Sequence, residues 1–171
     1  GTQSFYLLGV TYGNGLFVTV GESQNIHTST DGTSWDNRTY ETTTKLYGVT
    51  YGNGTFVTVS YSGTILTSTD GTSWDNRTSG TTEQLSGVTY GNSTYVIVGG
   101  SGTILTSSDG TSWDNRTSGT TDILMRVTYG NGLFVTVGWN GTILTSPDGI
   151  TWTERTSGSQ QFHLYGLTYG N

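Results

Sequence analysis

Cysteine is absent from the 171 residues, so neither a disulfide framework nor a thiolate metal site is available. Proline occurs once, at Pro147. Positive charge is almost as scarce. One lysine, Lys45, and five arginines face twelve acids, for a net charge of −6. No basic patch is on hand to hold a phosphate backbone, which argues against nucleic acid as a partner. Charged residues of both signs make up only 11% of the chain, unlike charge-rich disordered segments. No apolar run approaches the roughly 18–20 residues of a membrane span, and none is expected. The chain starts at Gly1, without Met or a signal-like stretch, and is read as processed or as a piece of something longer.

What is abundant points the other way. Thr, Val, Tyr, Phe and Trp favour strands, while Gly, Asn and Ser favour turns, so the composition reads as all-β. A repeat dominates the pattern. Asp31, Asp70, Asp109 and Asp148 follow one another at intervals of 39, as do Trp35, Trp74, Trp113 and Trp152, and Arg38, Arg77, Arg116 and Arg155. The second repeat divides into four short strands: LYGVTYG (46–52), TFVTVS (55–60), TILTST (64–69) and SWDNRT (73–78). Asn-Gly, Tyr-Ser-Gly and Asp-Gly join them, the residues of hairpin turns. In the second strand Val57 and Val59 face one way, Phe56 and Thr58 the other. Ile65 and Leu66 are apolar on both faces of the third, which suits a sheet covered on both sides.

A four-stranded antiparallel unit recurring every ~40 residues predicts a β-propeller, because one such unit cannot bury both faces and stacked units can. The fold class is all-β, a single domain over 1–171, with repeats at 5–43, 44–82, 83–121 and 122–161 and a partial one at 162–171. The first strand of the repeat occurs five times, the others four. This predicts four to five blades, or a ring closed by oligomerisation, with self-association through 5–14 or 162–171, since an uncovered apolar strand invites pairing.

Ser68-x-Asp70-Gly71-x-x-Trp74 resembles the Asp-box of sialidase-type propellers, Ser-x-Asp-x-Gly-x-x-Trp, on the hairpin between the third and fourth strands of a blade. The resemblance covers Ser29, Asp31, Gly32 and Trp35; Ser68, Asp70, Gly71 and Trp74; Ser107, Asp109, Gly110 and Trp113; and Ser146, Asp148, Gly149 and Trp152. Asp and Gly are adjacent here, one residue closer than in that box. The resemblance implies a structural motif, since Asp-boxes turn and pack blades. Sialidase catalysis, with an arginine cluster, a tyrosine and an acid, would need residues that converge once. Here four arginines follow the repeat.

No catalytic site, metal site or cofactor is expected. His27 and His163 fall at different repeat positions, without ligand spacing, and no Walker-type loop is present. Departures from the repeat are the better candidates for binding. The turn between second and third strands carries Glu22, Tyr61, Gly100 and Trp139 at equivalent places, and Asn140 follows Trp139. Arg126 replaces the glycine found at 9, 48, 87 and 166 and is expected to line the axis. Exposed aromatics stack on sugar faces or anchor protein partners. The chain is therefore expected to be a non-catalytic, lectin-like binding module, secreted or at a cell surface, with a glycan or cell-surface partner. A structural propeller that assembles through its surplus strand is the second expectation, and a remote sialidase-like hydrolase the third.

Overall fold

The computed structural model describes residues 6–22, 25–38, 45–158 and 162–170. Phe5, the connection 40–44, residues 160–161 and Asn171, all part of the readings above, lie outside these. Among the described residues, sixteen strands form four antiparallel sheets of four, each in simple meander order. Blade A holds β1 (Leu7–Gly13), β2 (Leu16–Gly21), β3 (Ile26–Ser29) and β4 (Asp36–Asn37). Blade B holds β5 (Leu46–Gly52), β6 (Thr55–Ser60), β7 (Ile65–Ser68) and β8 (Asp75–Arg77). Blade C holds β9 (Leu85–Gly91), β10 (Thr94–Gly99), β11 (Ile104–Ser107) and β12 (Asp114–Arg116). Blade D holds β13 (Leu124–Gly130), β14 (Leu133–Gly138), β15 (Ile143–Ser146) and β16 (Thr153–Arg155). The chain is a four-bladed β-propeller.

In blade B the first two strands end where the sequence places them. Asn53 (φ 44°) and Gly54 (φ 78°) turn between them, both in the left-handed region that tight hairpins require. The outer two are shorter than expected, because the Ser68 and Asp70 side chains take over the backbone donors there. Ser68 Oγ accepts from the Gly71 amide at 2.8 Å, and Asp70 Oδ1 accepts from the Thr72 and Ser73 amides at 2.7 and 2.8 Å. A side-chain-capped loop thus replaces the last rungs of the ladder.

Each blade has a leading face and a trailing face. Val18, Val20 and Ile26 on the trailing face of blade A meet Leu46, Phe56, Leu66 and Trp74 on the leading face of blade B. Val57, Val59 and Ile65 meet Leu85, Tyr95, Ile97 and Leu105 in the same way. Val96, Val98 and Ile104 meet Leu124, Phe134 and Leu144. Glycines let the inner strands close up at their ends. A Cβ on Gly52 would lie 2.1 Å from the ring of Tyr90, and one on Gly91 2.1 Å from that of Tyr129. Tyr95, where blades A, B and D have Phe, donates to the Gly52 carbonyl of the preceding blade. Burial pushes its phenol up to about 12.

Among the described residues, three such cores join four blades, and none joins blade D to blade A. Val10 is 63% exposed where its equivalent Val49 is 8%, and Trp35 is 41% exposed where Trp74 is 7%. The fifth copy of the first strand, expected at 162–171, enters no strand ladder. It nevertheless lies on the trailing side of blade D. The Tyr169 ring sits over Gly130 (2.2 Å to a built Cβ), and the Leu164 amide donates to the Gly138 carbonyl at 3.0 Å.

Candidate functional site

The recurrent acid, tryptophan and arginine come first, since they are the densest polar chemistry in the sequence. In all four copies the Asp Oδ1 accepts two backbone amides and a serine hydroxyl; in the third these come from Thr111 (2.7 Å), Ser112 (3.0 Å) and Ser107 (2.9 Å). Those donors, led by the backbone amides, hold the Asp31, Asp70 and Asp109 carboxyls well below the usual carboxylate range and lower that of Asp148. The tryptophan folds back over the same turn: Trp74 Nε1 donates to the Gly71 carbonyl at 3.3 Å, and its ring lies 6.5 Å from that of Phe56. Each arginine reaches across its sheet. Arg77 Nε donates to Thr67 Oγ1 at 2.8 Å, and its Nη2 lies 3.0 Å from Asp75 Oδ2. Thr153 replaces that aspartate beside Arg155. These groups are engaged within their own blades, except that Trp113 Nε1 has no hydrogen-bond partner and Arg155 donates to Thr145 Oγ1 without an aspartate beside it.

The departures from the repeat do not converge. Arg126 lines a cavity of about 250 Å³ at the axis, bounded by glycines and valines of all four inner strands. Its Nη1 donates to the carbonyls of Ser86 (3.0 Å) and Met125 (2.9 Å), which ties the guanidinium to the frame. Glu22 pairs with Lys45, and the carboxylate holds that ammonium above its ordinary value. Tyr61 is 54% exposed at the turn Tyr61–Gly63. Trp139 stands at the equivalent turn, Trp139–Gly141, and its ring stacks on His163, with centroids 4.8 Å apart and planes at 27°. The Asn140 amide donates to His163 Nδ1 at 3.3 Å. One face of the indole is covered, and the residue is 39% exposed.

A recurring polar groove was not legible as such. In blade B it is bounded by the turn at Ser62–Thr64, the end of the outer strand at Asn76 and Arg77, and the loop 78–82, and encloses about 670 Å³. The equivalent groove in blade C encloses about 730 Å³ and that in blade D about 810 Å³. Hydroxyls, amides and one guanidinium line each. The turn holds Ser62, Ser101 and Asn140 at φ between 51° and 56°. The blade D groove is the most elaborated. Asp122 Oδ1 accepts from Asn140 Nδ2 and its Oδ2 from Thr142 Oγ1, both at 2.7 Å, and Glu154 joins Arg155 on the wall. Asp122 and Glu154 were not singled out from sequence. The available signals were the variable loop preceding β13, where Asp122 stands, and the replacement of Asn37 by Glu154. Among the described residues, no group of three His, Asp or Glu side chains gathers as metal ligands would.

No protein-family model and no curated protein matches the chain. Solved structures do. It is similar to a YCF48 chain bound to a D1 peptide, with a TM-score of 0.65 and 21% identity over 90% of this chain and 53% of that one. It is similar to YCF48 from Cyanidioschyzon merolae, with a TM-score of 0.69 and 16% identity over 88% of this chain and 56% of that one. It also matches the computationally designed Ika8 protein, with a TM-score of 0.74 and 13% identity over 100% of this chain and 54% of that one. The chain thus spans about half the length of each. At these identities the likeness concerns the propeller fold.

Proposed function

We propose that the protein is a non-catalytic binding propeller whose blades present the same polar groove several times to a repetitive, hydroxyl-rich ligand, a glycan at a cell surface or outside the cell. The observation that carries this reading is the groove itself. It recurs in blades B, C and D with hydroxyl and amide linings, and in blades B and D an aromatic, Tyr61 or Trp139, stands at its turn. Weak sites repeated on one rigid body gain avidity on a polymeric ligand. The carboxylates of Asp31, Asp70, Asp109 and Asp148 are engaged by turn amides, and four of the five arginines follow the repeat, which supports the non-catalytic reading.

A glycan array probed at micromolar protein tests the reading. Binding is expected on extended glycans and to fall about tenfold in Tyr61→Ala, the equivalent of about 1.4 kcal/mol. A blank array sinks the glycan reading. An extended peptide is the second reading, favoured by the D1 peptide held by one YCF48 chain of similar fold. A peptide library that yields ligands while the array stays blank selects it.

A further inference from the structure

The two ends of the blade series are complementary, and a neighbouring copy is the partner they fit. Within the chain, every interface joins a trailing face to the leading face of the next blade. The leading face of blade A keeps the same pattern of side chains, including Phe17 and Trp35, but among the described residues no other blade packs against it. The trailing face of blade D keeps Leu133, Val135 and Ile143. The turn glycine shows the same contrast. Gly71 lies against Leu16 and Val18 of the preceding blade (2.6 and 3.4 Å from a built Cβ), and Gly149 against Val96 (3.0 Å), whereas Gly32 meets only its own blade's Phe17 at 3.8 Å.

The segment 162–170 stands in the one slot such a contact would have to fill. It is laid on blade D as each first strand is laid on the blade before it: Gly13 meets Tyr51, Gly52 meets Tyr90, Gly91 meets Tyr129, and Gly130 meets Tyr169. Among the described residues it pairs with no second strand. Its residues repeat those of the first strand of blade A, with seven of ten identical between 162–171 and 5–14.

We propose that two copies of this chain join head to tail, the segment 162–170 of each pairing with β2 of the other in place of β1. The exchanged strand reproduces the hydrogen bonds of the one it displaces, so the ladder is conserved. The docking of a trailing face on a leading face is the net gain. This assembly is independent of any glycan or peptide ligand.

The chain's lack of cysteine makes the test clean. Leu167 and Thr19 take the places of the paired Val10 and Thr19 in the exchanged ladder. A Leu167→Cys/Thr19→Cys double variant, oxidised, is expected to run as a covalent species of twice 18.3 kDa. The unmodified chain is expected to show that doubled mass by sedimentation at micromolar concentration. Trp35→Arg and Leu133→Arg, both at exposed positions, are each expected to give folded monomers with unchanged circular dichroism. Their equimolar mixture restores a dimer, because one junction of the pair then carries neither substitution. A monomer at 100-fold higher concentration overturns the assembly. A dimer of the double variant with no cross-link overturns the strand exchange.

Discussion

Blades A and C are built from nearly the same letters and differ in what lies against them. Leu85 is buried against blade B while its equivalent Leu7 is 54% exposed. Gly110 faces Val57 and Thr55 of a neighbour, and Gly32 faces no other blade. The outer turns of the two blades are alike, down to the serine and aspartate that cap them. Local sequence therefore sets the blade, and the neighbour sets what the blade's side chains contribute.

Substitution at paired positions is the sharpest way to break this comparison. Leu85→Ala is expected to cost about 2–5 kcal/mol, the range for a buried leucine. Leu7→Ala is expected to stay within about 0.5 kcal/mol, as exposed positions do. Urea denaturation below the concentration of assembly measures both, and equal losses would refute the view of blade A as uncovered. Gly91→Ala comes next. Its new Cβ would meet the Tyr129 ring between two packed blades, and a cost of about 1–3 kcal/mol or more is expected. Gly130→Ala should cost less, since the Tyr169 segment it meets has no sheet of its own; the melting temperatures of the two variants give the order.

Acid should act on all four blades alike. The Asp31, Asp70, Asp109 and Asp148 carboxyls titrate below their unfolded value of about 3.9. The stability they supply is therefore complete above that pH and is lost as pH falls below it toward the folded values. The melting temperature should be flat from pH 7 to 5 and drop below about pH 4. Asp109→Asn should lower the plateau and soften the acid limb, and an unchanged limb would count against the turn carboxylates as its source. The smallest effect is expected at the outer strands. Thr153→Asp would give Arg155 the partner that Arg77 has in Asp75, worth about 0–1 kcal/mol and diminished by salt.

Much of the architecture was readable because it is local. The ends of β5 and β6 follow from alternating apolar residues and an Asn-Gly turn. The third and fourth strands were read too long, since a side chain that captures backbone amides shortens a ladder without changing the apolar pattern. The candidate site was less readable. Tyr61 stands exposed as expected and Arg126 does line the axis, yet Arg126 is held by two carbonyls and Trp139 is half covered by His163. Asp122, which organises the blade D groove, lies 18 residues from Asn140 and 20 from Thr142, and no periodicity links them.

The sequence by itself determined the blade: its strands, its tight turns, the capped Asp-Gly loop and the number of copies. These rest on alternation, turn chemistry and hydrogen bonds spanning a few residues. Only the tertiary structure decided which faces are buried, which polar groups share a groove, and where the segment 162–170 comes to rest. Those outcomes depend on contacts between residues from 18 to about forty positions apart, and near-identical repeats carry no mark of which copy will have a neighbour.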